Sequence, residues 1–173
     1  MPAAPVTIRL ATRADSPALI DLKWEINRAE HGAYPRDSAI PPILDVSREA
    51  AQAGVDDYWA CIEAGGGAFL VGELAGEIVC CGCWYGEEAA VSTLPAYRRQ
   101  AGIGGIVVLP KARGLGLGKV IMAELERRIM HEGIAHVRLT VVPNNQHAVD
   151  LYRHQGFEDF ETVMIKSLSN SQI

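Results

Sequence analysis

The chemistry in this sequence concentrates in one short run, Val107-Val108-Leu109-Pro110-Lys111-Ala112-Arg113-Gly114-Leu115-Gly116-Leu117-Gly118-Lys119. A branched apolar stretch ends, a turn with three alternating glycines follows, and a strongly periodic segment begins. Glycines let backbone amides approach a ligand with no side chain between. A helix start adds N–H groups without intrahelical partners and the positive end of the dipole. Together they predict an anion site, suited to a phosphate or pyrophosphate. Arg113 and Lys119 bracket the loop and can add charge-assisted contacts. Glycines at a helix start weaken it unless they serve something, which weighs against a turn with no ligand.

Two common nucleotide motifs fail here. A P-loop counted back from Gly118-Lys119 puts Arg113 at its first glycine and Val120 at its hydroxyl. The dinucleotide fingerprint counted from Gly114 puts Lys119 at its last glycine.

The run Arg113-Gly114-Leu115-Gly116-Leu117-Gly118 instead resembles the Q/R-x-x-G-x-G/A acyl-CoA loop of the GNAT acetyltransferases, and Val108 and Pro110 fit the V-x-P that precedes it. A second block, Asn145-Gln146-His147-Ala148-Val149-Asp150-Leu151-Tyr152 and then Gly156-Phe157, is similar to the family's N-x-x-A-x-x-L-Y-x-x-x-G-F. Arg99-Gln100-Ala101-Gly102-Ile103-Gly104 fits the loop pattern too. A polar loop precedes that copy and an apolar strand follows it, so the cradle is expected at the second copy.

The resemblance implies transfer of an acetyl group from acetyl-CoA to a primary amine, by direct attack in a ternary complex. It implies that Ile106, Val107 and Val108 run alongside the pantetheine as a strand edge. An amide near Val108 then polarises the thioester carbonyl. Arg113, Gly114, Leu115, Gly116, Leu117, Gly118 and Lys119 hold the pyrophosphate. Asn145 bonds the pantetheine arm, although an Asn before a helix is also a good N-cap. Tyr152 matches the tyrosine that protonates the departing sulfur; it also stands one turn after Ala148, where a core aromatic fits.

Many relatives carry a Glu five residues ahead of the family Asn. Here that position is Thr140, which is no base near neutral pH. The amine must lose its proton to water, to a loop residue such as Glu87 or Glu88, or before it binds. Acceptor contacts are expected from Trp24, Glu25 and His31, from the loop around Tyr34, and from Glu87 and Glu88. Aromatics and carboxylates there suit a cationic amine, and a solvated surface explains them equally well. Two alternatives are a non-catalytic acyl-CoA-binding or sensing domain and a phosphate-binding module without coenzyme A. The family often dimerises, so a homodimer is compatible with the resemblance.

The elements that must position these residues follow from periodicity. Residues 6–10 read as a strand. Ser16 and Pro17 open a helix, with Leu19, Leu22 and Ile26 on one stripe. The three prolines between Tyr34 and Pro42 predict loop. Short helices are expected over 47–53 and 56–64. Strands over 68–74 and 77–85 are joined by Ala75-Gly76. A buried strand covers 103–109. A helix over 117–132 carries Ile121, Leu125 and Ile129 and stops at Gly133. A strand over 137–142, a helix over 146–155 ended by Gly156, and a closing strand over 160–166 complete the order. The expected fold is α/β (α+β), a mixed, mostly antiparallel central sheet flanked by helices, as in the GNAT family, and a single domain over residues 1–173.

Composition sets the outer bounds. The 173 residues are 49% hydrophobic and 21% charged, an ordinary soluble balance that excludes a mainly disordered chain. Size scaling lets such a chain bury roughly 70% of its unfolded surface. Sixteen basic against 21 acidic residues leave a net charge of −5, which argues against nucleic-acid binding. Glu73 and Glu77 break the most apolar stretch, so no membrane span is expected. The start lacks the basic and apolar blocks of a secretory signal. Cys80, Cys81 and Cys83 alternate across a strand and cannot easily share one metal, so no metal site is expected. The lack of a spaced disulfide framework points to a cytoplasmic protein.

Overall fold

The computed structural model describes residues 6–34 and 44–166. Along the chain run β1 (Val6–Leu10), α1 (Ser16–Ala33), α2 (Arg48–Gly65), β2 (Gly67–Leu74), β3 (Glu77–Glu88), β4 (Arg99–Val108), α3 (Leu117–His131), β5 (Val137–Arg138) and α4 (Gln146–His154). The five strands form one sheet in the order β1-β2-β3-β4-β5. Every neighbouring pair is antiparallel except β4 and β5, which are parallel. The sheet is thus mixed and mostly antiparallel, with helices on both faces.

Period-two alternation sorts the strand side chains onto two cores. Phe69, Val71, Cys81 and Cys83 meet Leu19, Leu22, Val55 and Trp59 of α1 and α2. Leu70, Cys80, Trp84 and Ile103 meet Ile121, Met122, Leu125 and Ile129 of α3 on the other face. The clustered cysteines therefore divide between opposite sides of the sheet. No helix among the described residues is long and apolar enough to cross a membrane.

Several elements differ from the sequence expectation. α2 is one continuous helix rather than two short ones. Gly54 costs it about 1 kcal/mol relative to alanine, but burial of Ala51, Val55 and Trp59 holds it together. A Cβ at Gly54 would lie 2.7 Å from Lys23 Cε, so the glycine lets α1 cross closely. The N-cap of α1 is Asp15, not Ser16, and Arg9 and the Thr12 N–H bind its carboxylate. β4 starts at Arg99 because its polar end pairs with Glu87 and Glu88, and the Ala89 N–H closes the hairpin on the Arg98 carbonyl at 2.8 Å.

β5 pairs over two residues only, where 137–142 was expected. The closing strand over 160–166 is absent: this segment has no ladder, and Phe160 and Met164 are 94% and 91% exposed. A strand needs a partner edge, and a two-residue β5 offers too little of one. The proline-rich stretch lies outside the described residues apart from Tyr34.

Candidate active site

The site begins where β4 and β5 part. Their ladder holds only Ala101 with Val137 and Gly102 with Arg138. Beyond it β4 runs on to Val108 with one edge unpaired. The Leu109 N–H bonds the Val79 carbonyl of β3 at 2.8 Å. Antiparallel alternation then turns the Val108 N–H away from β3, toward the open edge. The register between β3 and β4 slips between Cys81 and Cys83, and Gly105 stands in the slipped stretch with φ 60°. This bulge bends β4 at the point where the strands separate.

The glycine turn follows directly. Gly116 is the N-cap of α3 in the left-handed region, φ 73°, and Gly114 has φ 80°. A side chain at either position would point into open space. Among the described residues no acceptor takes the N–H of Gly114, Leu115, Gly116, Leu117 or Gly118. Five consecutive donors are therefore without an acceptor at the start of a 15-residue helix. That is an anion cradle by backbone and dipole together. Lys119 is exposed beside it. Arg113 is otherwise engaged: its guanidinium donates to the Val108 carbonyl and to Glu25 of α1, each at 3.2 Å. It ties the loop to α1 and to the end of β4.

A cleft of about 370 Å³ opens between the parted strands, roofed by α1, α2 and α4. Ile106, Thr140 and Tyr152 line it, as do Gly102 and Gly104. Tyr152 is half-buried, packs edge-on against Phe157 at 5.8 Å between centroids, and still faces the cleft. The ring thus packs as a core aromatic does and also borders the cleft. Burial, with a smaller contribution from the Glu30 charge, pushes its hydroxyl up to about 12, so it stays protonated near neutral pH. Asn145 caps α4, its Oδ1 accepting from the Ala148 N–H at 3.4 Å. Val107 is buried under α1 and α2.

The first copy of the glycine pattern has another use. A Cβ at Gly102 would fall 2.5 Å from the Tyr85 ring, and one at Gly104 2.6 Å from the Tyr58 ring. These glycines let two tyrosines lie flat across β4 and wall the cleft.

Of the expected acceptor contacts, Tyr34 and Glu87 line the cleft. Trp24 is held elsewhere, its ring between Arg28 and Arg48 and its Nε1 donating to the Val46 carbonyl. Glu25 holds Arg113, and His31 Nδ1 lies 3.0 Å from the Leu44 carbonyl. Glu88 is exposed and does not line this cleft. Sequence reasoning missed Lys23, Glu30, Tyr58, Tyr85 and Arg138, which do. One signal was present. The stripe Leu19, Leu22, Ile26 reaches position 30 at its next step, where a carboxylate replaces an apolar side chain. Among the described residues no group of three His, Cys, Asp or Glu side chains is placed to hold a metal ion.

Comparison with known proteins agrees with this layout. Residues 21–157 match the acetyltransferase (GNAT) family. A GCN5-related N-acetyltransferase from Ralstonia eutropha is 19% identical, with a TM-score of 0.71 over 95% of this chain and 99% of its own. An aminoglycoside N-acetyltransferase in complex with CoA is 16% identical, with a TM-score of 0.70 over 97% and 98%. Glucosamine-6-phosphate N-acetyltransferase from Arabidopsis thaliana is 18% identical, with a TM-score of 0.62 over 95% and 99%. At such identities the structures speak for the fold, while the family match spans most of the sequence and covers both the glycine turn and the Asn145–Tyr152 block. The chain therefore belongs to the GNAT acetyltransferase family and is an acetyl-CoA-dependent acyltransferase.

Proposed function

We propose that this protein transfers an acetyl group from acetyl-CoA to a primary amine by direct attack in a ternary complex, acting as a single domain over residues 1–173. The observation that carries the proposal is the row of five unpaired N–H groups at the start of α3, just past the end of β4, whose residues 102–106 line the cleft. The pyrophosphate sits on Gly114 to Gly118, with Lys119 adding charge. Arg113 contributes only by exchanging its Glu25 partner for phosphate, or by holding the loop in place.

From the cradle the pantetheine follows the free edge of β4 past Val108, Val107 and Ile106. The Val108 N–H is the oxyanion donor. Asn145, while capping α4, keeps a second lone pair and its amide N–H groups for the pantetheine arm. The acetyl group then reaches the cleft beside Tyr152. Holding amine and thioester side by side supplies much of the rate effect. Tyr152, kept neutral by burial, protonates the departing sulfur.

Calorimetry with acetyl-CoA tests the cradle, and thiol release with a panel of amines tests turnover. Binding together with amine-dependent release is expected. Absence of binding at millimolar acetyl-CoA overturns the whole reading. Binding with no release for any amine leaves only an acyl-CoA-binding domain.

A further inference from the structure

We propose that Glu30 is the general base of this enzyme: its carboxylate receives the ammonium group of a cationic primary amine in the cleft and takes its proton, opposite Tyr152. This rests on the acetyltransferase reading above and names the acceptor class and the missing base.

Position makes the case. Lys23, Ile26 and Glu30 lie at i, i+3 and i+7 on α1, and all three face the cleft that Tyr152 also lines. Glu30 and Tyr152 thus border the same small volume from different helices. The other cleft carboxylate is taken: Glu87 pairs with Arg138 of β5 at 3.6 Å. Among the described residues Glu30 has no ion-pair or hydrogen-bond partner.

Its charged and titratable neighbours are few. On α1, the Lys23 charge acts on Glu30, and its Nζ stands over the Tyr58 ring of α2 at 5.5 Å from the centroid. Tyr85 of β3 and Tyr34 after α1 complete the wall with Tyr152 of α4. Tyrosine faces attract a cation, which adds to the pull of the carboxylate. Burial raises the Glu30 carboxyl above its ordinary range, and Lys23 partly offsets this. The same desolvation lowers the pKa of an incoming ammonium, so the two values approach each other inside the cleft.

The step balances as follows. The ammonium gives one proton to the Glu30 carboxylate. The neutral nitrogen attacks the thioester carbon, the C–N bond forms and the C–S bond breaks. The sulfur takes the Tyr152 proton, and the second nitrogen proton returns to the Tyr152 oxygen. Glu30 then releases its proton to water. The products are the acetamide, the free thiol of coenzyme A and one proton.

The test uses the full chain as wild type, Glu30→Gln and Glu30→Asp. Acetyl-CoA binding is measured by calorimetry. Thiol release is followed from pH 6 to pH 9, roughly the span between the glutamate and amine ranges, with tyramine, benzylamine, spermidine and kanamycin. For the best amine, wild type should show a bell-shaped kcat/KM, bounded by Glu30 ionisation and ammonium deprotonation. Glu30→Gln should lower kcat/KM at least 100-fold at neutral pH, within the range for a general base. Its remaining rate should rise about tenfold per pH unit, because only the neutral amine then reacts. Glu30→Asp should recover part of the rate. Acetyl-CoA affinity should be unchanged in both variants. Because burial disfavours the charged form, Glu30→Gln should keep or raise thermal stability at neutral pH, which excludes misfolding as the cause. A Glu30→Gln enzyme with wild-type rate and pH profile overturns the Glu30 assignment and leaves the acetyltransferase reading standing. A wild type that binds acetyl-CoA but consumes none of these amines overturns both.

Discussion

Tyr152 has two features in the structure: an edge-on contact with Phe157 and a place on the cleft wall. Tyr152→Phe separates them, because it keeps the ring and deletes the proton. We expect kcat to fall about 10²-fold or more, within the range for a lost general acid, with acetyl-CoA affinity retained. Single-turnover thiol release checks this, and a variant with wild-type chemistry makes Tyr152 a packing residue only. Tyr152 was legible because it lies in a motif with fixed spacing. So was Asn145, whose capping role is visible in the structure. Glu30 was not. No motif marks it beyond its place at the end of the Leu19, Leu22, Ile26 stripe, and the folding of α1 over the parted strands brings it to the cleft. Trp24, Glu25 and His31 stay off the cleft wall for a related reason. They lie on α1 too, but on faces turned to Arg28 and Arg48, to Arg113 and to Leu44.

At the scale of elements, the two copies of the glycine pattern give opposite predictions. Gly116→Val forces a branched residue into the left-handed region of the α3 N-cap, a strain of about 1–2 kcal/mol. It also places methyl groups over the donor row. Acetyl-CoA affinity should drop at least tenfold, about 1.4 kcal/mol, with the fold kept. Gly104→Val acts on the cleft wall instead. Its Cβ meets the Tyr58 ring, so Tyr58 must move. Acceptor KM should rise and stability should fall while acetyl-CoA affinity changes far less. Calorimetry and acceptor kinetics on the two variants check the pair, and loss of coenzyme binding in Gly104→Val alone reverses the assignment. Helices with clear caps or stop glycines were readable from sequence, as α3 and α4 show. The short β5 and the missing strand over 160–166 were not. Both segments are rich in branched and apolar residues, as strands are, but pairing depends on an available edge, which local pattern does not encode.

Across the whole molecule, acid should be the weak side. Arg9 of β1 holds Asp15 and Glu73 together, and its hydrogen bonds keep the Asp15 carboxyl well below the usual range. On α3, hydrogen bonds from Arg127 and Arg128 lower Glu124 to about 2. Carboxyls depressed in the folded state stabilise it above their unfolded values, roughly 4. That contribution fades as pH falls toward 2. Urea midpoints should therefore decline steadily between about pH 4 and pH 2. Asp15→Asn should lower the neutral plateau and flatten this decline, and an unchanged slope removes Asp15 as a cause. The mixed sheet flanked by helices was foreseeable from the order of elements, whereas which helix covers which face was not.

The unpaired edge of β4 has a consequence for how fast this protein trades its amide protons with deuterated water. Val107 on β4 and Leu109 just past its end flank Val108, yet alternation directs their N–H groups toward β3. The free protein should therefore exchange Val108 and the Gly114–Gly118 amides quickly while Val107 and Leu109 exchange slowly. Bound acetyl-CoA should slow that fast set selectively. Amide exchange followed residue by residue by NMR would then trace the path of the coenzyme along the chain without altering a single residue. Equal protection of Val107 and Val108 in the free protein would show that the edge is not open.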